Sequence, residues 1–398
     1  MLSATAPDRT VVIVGASVAG TRCAMGLRDA GFAGRVVLLE PDEGEPYDKP
    51  QLSKRLGDDH RLELLATESA LRERAVDFRP GVVATGLDLA GRWVETSHGR
   101  VAFDDLVIAT GCRPREVPYP LPVGAGYVRT RSDWVRLRDA VGRGGRLLVL
   151  GGGFLGLETA AAAAARGMTV TVVDVAPRIL TRGIPASAAA RIADEHVGGG
   201  VRFRLGTTDP VLEPRAGGGV RMGDLEGDWA VVSIGAVPNV EWLADSGLTI
   251  DDGVVCDDNL VAAHGVWAVG DVARWDNPRY GRLERHEHWT TAVRHGQHVA
   301  RSIASGAPSP VSEVPYVWSD QFDWRIQTVG RAATDEVHFT SGADQHVVLS
   351  VEDGLVTGVT TINSQGRCLR ARQLLQVVDP TLDAVVERLG LAAFAQTG

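Results

Sequence analysis

The feature that most constrains the fold of this chain is a glycine-rich turn that occurs twice, each time between an apolar strand and a helix. The first turn, residues 15–20, follows the apolar run Thr10–Val14, and the second turn, residues 151–156, follows Arg146–Leu150. In both cases a further apolar strand comes after the helix and ends on an acidic residue. A strand, a glycine turn, a helix, a strand and an acid in this order are typical of the βαβ unit that binds a dinucleotide. The sequence therefore predicts an α/β protein with two such units.

The acidic residues that end the two units are Glu40 and Asp174, each about 20 residues after its turn. Glycine in the turn allows the backbone to approach a pyrophosphate, the helix N-terminus receives the negative charge, and the acid accepts hydrogen bonds from ribose hydroxyls. Ser17 takes the place of the middle glycine of the first turn, so its side chain has to turn aside or donate to the phosphate. Two αβ units with glycine turns and no ligand are the alternative. The turn residues expected to contact a ligand are Gly15, Ala16, Ser17, Gly20, Gly151, Gly153 and Gly156.

The length and composition exclude several classes of protein. A chain of 398 residues is long enough for about two or three domains, and no apolar run approaches the roughly 20 residues of a membrane span. The first residues lack the basic region and apolar core of a signal peptide, so we expect a cytoplasmic protein. The net charge of -9 argues against a general attraction to nucleic acid or to an anionic membrane.

The four cysteines, Cys23, Cys112, Cys256 and Cys368, lie far apart in the sequence. Their spacing fits neither a disulfide framework nor a zinc site, and no pair has the spacing of a redox motif. We therefore expect buried thiols, no metal site, and no disulfide reductase, peroxidase or cysteine-dependent NADH oxidase activity.

The rest of the chain contains further strands and a final segment of a different kind. Three expected strands end near a glycine that could approach a nucleotide, at residues 106–109, 230–234 and 265–269. From Pro315 onward the pattern changes to short β-rich runs followed by helical segments, which predicts a C-terminal α+β domain. The runs expected in this domain are strands at 325–329, 346–351 and 356–362 and helices at 369–378 and 382–389.

Several motifs outside the turns match a known family. Over nearly its whole length the chain resembles the two-dinucleotide flavoprotein reductases, and specifically the FAD- and NADH-dependent ferredoxin reductases that serve oxygenases, such as putidaredoxin, rubredoxin and aromatic-ring dioxygenase reductases. The most specific match is the Pro-Tyr-x-Trp-Ser-Asp-Gln string at residues 315–321. The other matching segments are residues 46–54, 109–111, 151–158, 234–235 with 238–239, 268–271 and 287–289.

The resemblance implies a glutathione-reductase-like fold in which the first βαβ unit binds FAD and the second binds the nicotinamide cofactor. The FAD-binding domain then has two parts, residues 1–113 and 236–313, with an NAD-binding domain inserted at 114–235 and the C-terminal α+β domain at 314–398. Asp174 favours NADH over NADPH because a carboxylate accepts from a free 2′-hydroxyl and repels a 2′-phosphate. The nearby Arg178 could offset this preference.

The resemblance also implies roles for individual residues. Glu40 is expected on the adenosine ribose, the Val83 backbone on the adenine, Asp271 on the ribityl chain, and Trp289 and Trp318 along the isoalloxazine, with core packing as the alternative for each tryptophan. Lys49, where the family usually has arginine, and Lys54 are the only lysines of the chain. The expected cofactor-binding residues outside the glycine turns are Glu40, Lys49, Lys54, Val83, Ala109, Thr110, Gly111, Arg129, Glu158, Asp174, Gly235, Gly270, Asp271, Trp289 and Trp318.

Two residues, Lys54 and Glu158, are expected to act in catalysis as an ion pair beside the flavin N5. The alternative for Glu158 is an exposed acid in the first turn of a helix, where the helix dipole favours it. The resemblance implies that the enzyme passes a hydride from NADH to flavin and then single electrons to a ferredoxin or rubredoxin-type iron–sulfur protein that feeds an oxygenase. We expect a monomer or weak homodimer.

Two other functions stay open at this point. The first is an apoptosis-inducing-factor-like flavoprotein whose main role is interaction, with slow NADH oxidation. The second is an NADH-binding redox sensor that has lost FAD affinity through Ser17 and Lys49.

Overall fold

The computed structural model describes residues 8–57, 61–342, 344–377, 379–392 and 395–397, which form two compact units. The first unit comprises the residues up to Asp48, Leu62–Arg113 and Val237–Glu313. The second comprises Lys49–Arg61, Pro114–Ala236 and the residues from Val314 onward. The expected division of the second unit into an NAD-binding and a C-terminal domain stays a prediction.

The helices and strands of the described residues are numbered in chain order. The α-helices are α1 (Val18–Asp29), α2 (Glu68–Glu73), α3 (Arg131–Arg143), α4 (Phe154–Ala164), α5 (Ala186–Gly198), α6 (Trp289–Ser305), α7 (Gln365–Leu375) and α8 (Leu382–Leu389). The strands are β1 (Thr10–Val14), β2 (Arg35–Glu40), β3 (Val76–Pro80), β4 (Ala84–Asp88), β5 (Trp93–Thr96), β6 (Gly99–Ala102), β7 (Asp105–Ile108), β8 (Cys112–Pro114), β9 (Ala125–Gly126), β10 (Arg146–Leu150), β11 (Thr169–Val173), β12 (Arg202–Arg204), β13 (Glu213–Pro214), β14 (Val220–Met222), β15 (Leu225–Gly227), β16 (Trp229–Val232), β17 (Ala236–Pro238), β18 (Val254–Cys256), β19 (Val261–Ala263), β20 (Val266–Ala268), β21 (Ala273–Asn277), β22 (Arg282–Glu284), β23 (Tyr316–Gln321), β24 (Trp324–Gly330), β25 (Asp335–Ser341), β26 (Gln345–Glu352), β27 (Leu355–Ile362) and β28 (Ala395–Thr397).

The first unit is built on a six-stranded sheet with the strand order β19-β20-β7-β1-β2-β3. Every neighbouring pair is parallel except β19 and β20. Val12 of β1 is in register with Val37 of β2 and Leu106 of β7, and all three side chains are buried. Strands of a parallel sheet are covered on both faces, which is why they read as continuous apolar runs in the sequence. The first predicted βαβ unit is β1, α1 and β2.

A polar cluster is buried in the first unit around Glu284. Its carboxylate accepts hydrogen bonds from Asn277 Nδ2 at 2.9 Å and Arg282 Nε at 3.0 Å, and lies 3.2 Å from His286 Nε2. Burial raises the pKa of Glu284, but the hydrogen bonds from His286, Arg282 and Asn277 outweigh burial and lower it to about 2. This carboxylate therefore stays charged well below neutral pH.

The second unit contains a parallel sheet with the order β12-β11-β10-β16-β9. The second predicted βαβ unit is β10, α4 and β11. The alanine-rich run after the second turn predicts a helix at residues 159–166, and these bounds are wrong, because α4 begins at Phe154 and ends at Ala164. The glycine at position 156 lowers the helix propensity of the first turn, but close packing of that glycine on β10 favours the helix there.

The second unit also contains an antiparallel sheet with the order β23-β24-β27-β26-β25-β28. Helices α7 and α8 bury Leu375, Val385 and Leu389 against it. The expected helix at 369–378 is wrong in its bounds, because α7 begins at Gln365 directly after Ser364, and residue 378 lies outside the described residues. The α/β fold with a C-terminal α+β part is confirmed.

Helix α5 is tied to this antiparallel sheet by one side chain. The residue before the helix, Pro185, offers no side-chain cap. Glu336 of β25 supplies one, since its carboxylate accepts from the backbone N–H groups of Ala186 at 2.7 Å and Ser187 at 3.2 Å and from the Ser187 hydroxyl. A negative group at a helix N-terminus satisfies free N–H donors and interacts favourably with the helix dipole.

None of the helices among the described residues is long and apolar enough to cross a membrane.

Candidate functional site

The first glycine turn has two positions at which the fold itself requires glycine. Gly15 has φ +104°, and a Cβ atom there would lie 2.4 Å from the carbonyl oxygen of Ala109. A Cβ atom on Gly20 would lie 1.8 Å from the carbonyl oxygen of Gly15. Ser17 lies between these two glycines, directly before the first residue of α1. Its φ is -70°, which any residue adopts without strain. Its hydroxyl makes no capping hydrogen bond within the described residues, so it is available to a ligand.

The second glycine turn repeats this arrangement. Gly151 has φ +113° and its Cβ would lie 2.1 Å from the carbonyl oxygen of Ser233, while a Cβ on Gly156 would lie 2.1 Å from that of Gly151. Gly153, the counterpart of Ser17, is different, because no described residue other than its two chain neighbours has an atom within 4 Å of the position that a Cβ would take. The first and last glycines thus serve the close packing of strand and helix, whereas the middle one faces open space. This is the cradle that a pyrophosphate needs.

The two acids are held against their turns in the same way. Glu40 Oε2 accepts from the backbone N–H of Ala16 at 2.6 Å, and Asp174 Oδ2 accepts from that of Gly152 at 2.6 Å. Asp174 Oδ1 also accepts from Ala176 N–H at 2.8 Å. Each carboxylate is half-buried and has further lone pairs for a ribose hydroxyl. The residues of both units therefore fit a dinucleotide.

Arg178 does not neutralise Asp174 by an ion pair among the described contacts. Its guanidinium Nη1 donates instead to the carbonyl oxygens of Ile179 at 3.1 Å and Leu180 at 2.9 Å. The carboxylate of Asp174 consequently dominates the charge beside the second turn. This arrangement is unfavourable for a 2′-phosphate.

Other predicted residues of the first unit lie at the carboxyl end of its parallel sheet or near it. The Thr110 hydroxyl donates to the carbonyl of Asn239, and the Asn239 amide donates back to that of Thr110, both at 2.8 Å. These bonds hold the segment formed by Ala109, Thr110 and Gly111 after β7. Gly270, with φ +71°, and Asp271 follow the neighbouring strand β20.

Trp289 and Val83 have partners within the first unit. Trp289 begins α6 and is half-buried, and its indole N–H donates to Asp48 Oδ1 at 2.8 Å. Val83 is 44% exposed, and both of its backbone polar groups bond to Ser97. A backbone contact between Val83 and adenine, which stays a prediction, would use the second lone pair of the carbonyl oxygen.

In the second unit, the structure brings Lys54 and Glu158 together. Lys54 follows the 3₁₀ turn Lys49–Ser53, and its Nζ lies 3.0 Å from Glu158 Oε1. Glu158 lies on α4 and is 7% exposed, so the alternative of an exposed acid is wrong. The other two donors are serines: Ser53 Oγ donates to Glu158 Oε2 and Ser319 Oγ donates to Oε1, both at 2.5 Å. A carboxylate with an ammonium and two hydroxyls around it is well satisfied despite its burial.

The two serines are functional candidates that the sequence reasoning missed. Both lie inside motifs singled out above, Ser53 next to Lys54 and Ser319 next to Trp318. Serine gives no pattern of its own, so only its place next to motif residues could have pointed to it.

The remaining predicted residues of the second unit lie around this pair or near the parallel sheet. Trp318 of β23 is half-buried and stacks on Tyr316, with ring centroids 6.2 Å apart. Gly235 comes after β16 with φ +109°. Arg129 precedes α3, its backbone N–H donates to Asp133, and Lys49 is half-buried at the start of its 3₁₀ turn.

Burial disfavours the thiolate form of three of the four cysteines. All four are buried. Burial raises the pKa of the thiols of Cys23, Cys256 and Cys368, to about 12 for Cys256 and about 11 for Cys368. Since the thiolate is the nucleophile in disulfide exchange, these groups are inert at neutral pH. Taken together, the residues of the two turns describe a protein that binds two dinucleotides.

Comparison with protein families agrees with this class. The model for pyridine nucleotide-disulphide oxidoreductases matches residues 9–296, and the model for the reductase C-terminal domain matches residues 316–386. The chain belongs to the pyridine nucleotide-disulphide oxidoreductase family.

Individual relatives are similar over almost the whole chain. The anthranilate 1,2-dioxygenase system ferredoxin–NAD(+) reductase component of Burkholderia cepacia is 33% identical over 395 residues, covering 93% of this chain and 97% of the relative. Terpredoxin reductase of a Pseudomonas species is 34% identical over 389 residues, covering 92% of each chain. A crystal structure of the covalent putidaredoxin reductase–putidaredoxin complex has a TM-score of 0.90 at 28% identity and covers 98% of this chain and 99% of that one. The resemblance to oxygenase-coupled reductases is confirmed.

Proposed function

We propose that this chain takes a hydride from NADH onto FAD and passes the electrons one at a time to a ferredoxin or rubredoxin, which supplies an oxygenase. The observation that supports this most strongly is the extent of the similarity. The similarity to a ferredoxin–NAD(+) reductase component of a dioxygenase system covers 93% of this chain. The model for the reductase C-terminal domain matches as well. The structural neighbour that is linked covalently to putidaredoxin supports an iron–sulfur protein as the partner.

The enzyme is an oxidoreductase of the ferredoxin reductase type, and its cofactors are FAD and NAD(H). The proposed FAD-binding residues include the turn from Gly15 to Gly20 and Glu40. The proposed NADH-binding residues include the turn from Gly151 to Gly156 and Asp174, whose carboxylate favours the cofactor with a free 2′-hydroxyl. The middle position of each turn, with open space at Gly153, supports these assignments.

The proposed task of the protein residues is to bind, orient and stabilise charge. Bound FAD supplies the chemistry, since it accepts a hydride and releases single electrons. Lys54 offers an ammonium that stabilises the negative charge arriving at the site. Glu158 holds that ammonium at 3.0 Å, and Ser53 and Ser319 hold Glu158. No protein nucleophile is needed, which agrees with the buried cysteines.

The setting of the enzyme is part of the proposal. The net charge of -9 is unfavourable for binding nucleic acid or an anionic membrane. We propose a cytoplasmic monomer or weak homodimer that meets its iron–sulfur partner by diffusion. Cell fractionation and light scattering of the purified protein test these two points.

The decisive experiment measures reduction of cytochrome c by the purified, FAD-loaded protein with NADH. The assay is run with and without a [2Fe–2S] ferredoxin, with a rubredoxin in a parallel series and with NADPH in place of NADH. We expect a rate that depends strongly on the iron–sulfur protein and on NADH. A flavin that NADH barely reduces would refute the proposal, whereas fast flavin reduction without any effect of the iron–sulfur proteins would point to another acceptor.

A further inference from the structure

The carboxylate of Glu158 is the end of a buried chain of hydrogen bonds within the second unit. Ser319 Oγ, which donates to Glu158 at 2.5 Å, accepts from Gln321 Nε2 at 3.0 Å. Gln321 Oε1 lies 2.9 Å from Nε2 of His196 on α5. Ser319 and His196 are 0% exposed and Gln321 is 1% exposed. Water therefore does not compete for these groups, and each donor and acceptor has to find its partner within the protein.

The donors and acceptors of this chain can have only one direction while Glu158 is a carboxylate. A carboxylate only accepts, so the hydrogen of Ser319 points at Glu158 and its lone pairs face Gln321. Gln321 then has to present its NH₂ to Ser319 and its carbonyl oxygen to His196. His196 in turn has to carry its proton on Nε2.

The surroundings of His196 agree with this tautomer. Its ring packs edge-on against Phe203, with centroids 6.0 Å apart, and against Phe322, at 5.1 Å. Nδ1 is buried and has no partner among the described residues. Burial lowers the pKa of His196, which keeps the ring neutral. A proton on Nδ1 would leave a buried N–H without an acceptor and Nε2 facing an oxygen, so the Nε2–H form is the favoured one.

We propose that His196 and Gln321 are positioning residues that hold the Ser319 hydroxyl in the orientation in which it donates to the Glu158 carboxylate beside Lys54. If Gln321 were free to turn, Ser319 could direct its hydrogen away and aim a lone pair at the carboxylate. The electrostatic support for Lys54 would then weaken. The link to hydride transfer rests on the function proposed above, but the hydrogen-bond chain itself does not.

The tautomer of His196 is measured by ¹⁵N–¹H NMR of the purified full-length protein with ¹⁵N-histidine, and the signal is assigned by its loss in His196→Gln. We expect the Nε2–H form. Ser319→Ala should allow Gln321 to take either orientation and give a mixture of tautomers. The matched control Ser53→Ala removes the hydroxyl that donates to Glu158 Oε2. This hydroxyl is not part of the hydrogen-bond chain to His196, so the tautomer should stay unchanged. An Nδ1–H form in the wild-type protein, or no difference between the two serine variants, would overturn the proposal.

A second measurement separates positioning from mere stability. Gln321→Met leaves His196 Nε2 without an acceptor, and we expect lower thermal stability and about tenfold slower reduction of bound flavin by NADH, with unchanged NADH affinity. The double variant Gln321→Met/His196→Leu removes both polar groups, so its stability should recover. Its rate should stay low, because Ser319 is still not held. Recovery of the rate together with stability would show a structural role only and overturn the proposal. If NADH fails to reduce the flavin even in the wild-type protein, the proposed function fails, while the NMR result still tests the chain.

Discussion

The coupling between Lys54 and Glu158 can be measured by removing each charge alone and both together. The ammonium Nζ lies 3.0 Å from Oε1. At an effective dielectric constant of about 20, two unit charges at this distance attract by about 5.5 kcal/mol. The Lys54 side chain keeps 21% of its exposure, and the two serine hydroxyls remain on the carboxylate when the ammonium is lost. We therefore expect a coupling free energy of about 2 kcal/mol between Lys54→Met and Glu158→Gln.

The assay is hydrogen–deuterium exchange of the α4 backbone amides, which reports the free energy of local opening. The α4 amides should exchange faster in each single variant. In the double variant the rate increase should be smaller than the product of the two single-variant increases. For a coupling of about 2 kcal/mol, the ratio of that product to the increase in the double variant is about 30.

An exposed ion pair serves as the control. Arg72 and Glu68 are closer, at 2.6 Å, but their side chains are 76% and 54% exposed. For this pair we expect a ratio of only about 2, since solvent screens exposed charges. A ratio near 2 for Lys54 and Glu158 as well would refute the reasoning that burial makes this pair strong.

Three further predictions follow from the sites and the fold. Gly153→Ala should leave the stability of the cofactor-free protein unchanged, since the new Cβ enters open space. Calorimetry should show NADH binding weakened at least about tenfold. Equal affinity would show that this turn does not contact NADH. Asp174→Asn should lower the ratio of kcat/KM for NADH over NADPH about tenfold, and an unchanged ratio would place the selection elsewhere. Because the pKa of Glu284 is lowered to about 2, its contribution of about 3 kcal/mol to the free energy of unfolding is present above pH 4.5 and lost as the pH falls toward 2. Urea unfolding against pH should show this loss, and Glu284→Gln should flatten the profile; parallel profiles would contradict it.

Much of the fold could be predicted because its parts are local. The strands β1 and β10 have the predicted bounds, since apolar runs that end at a glycine turn leave few other choices. Strands were missed where the pattern was not apolar. Strand β23 lies in the 315–321 motif and was not predicted as a strand, because its second half, Ser319, Asp320 and Gln321, is polar and breaks the apolar run. The predicted start of α7, at residue 369, is too late because the glycine at position 366 lowers the helix propensity of the first turn.

The two dinucleotide turns, their acids and the lack of a cysteine pair with redox-motif spacing can all be recognised in the sequence. These features depend on residue type and spacing along one βαβ unit, so they can be read locally. The burial of Glu158, and its contacts with Ser53, Lys54 and Ser319 from segments more than about 100 residues away, come from the three-dimensional packing of the chain. The direction of the hydrogen bonds through Gln321 to His196 was decided there too. A histidine on an amphipathic helix gives no sign of its partner in sequence, because its role comes from what packs against it.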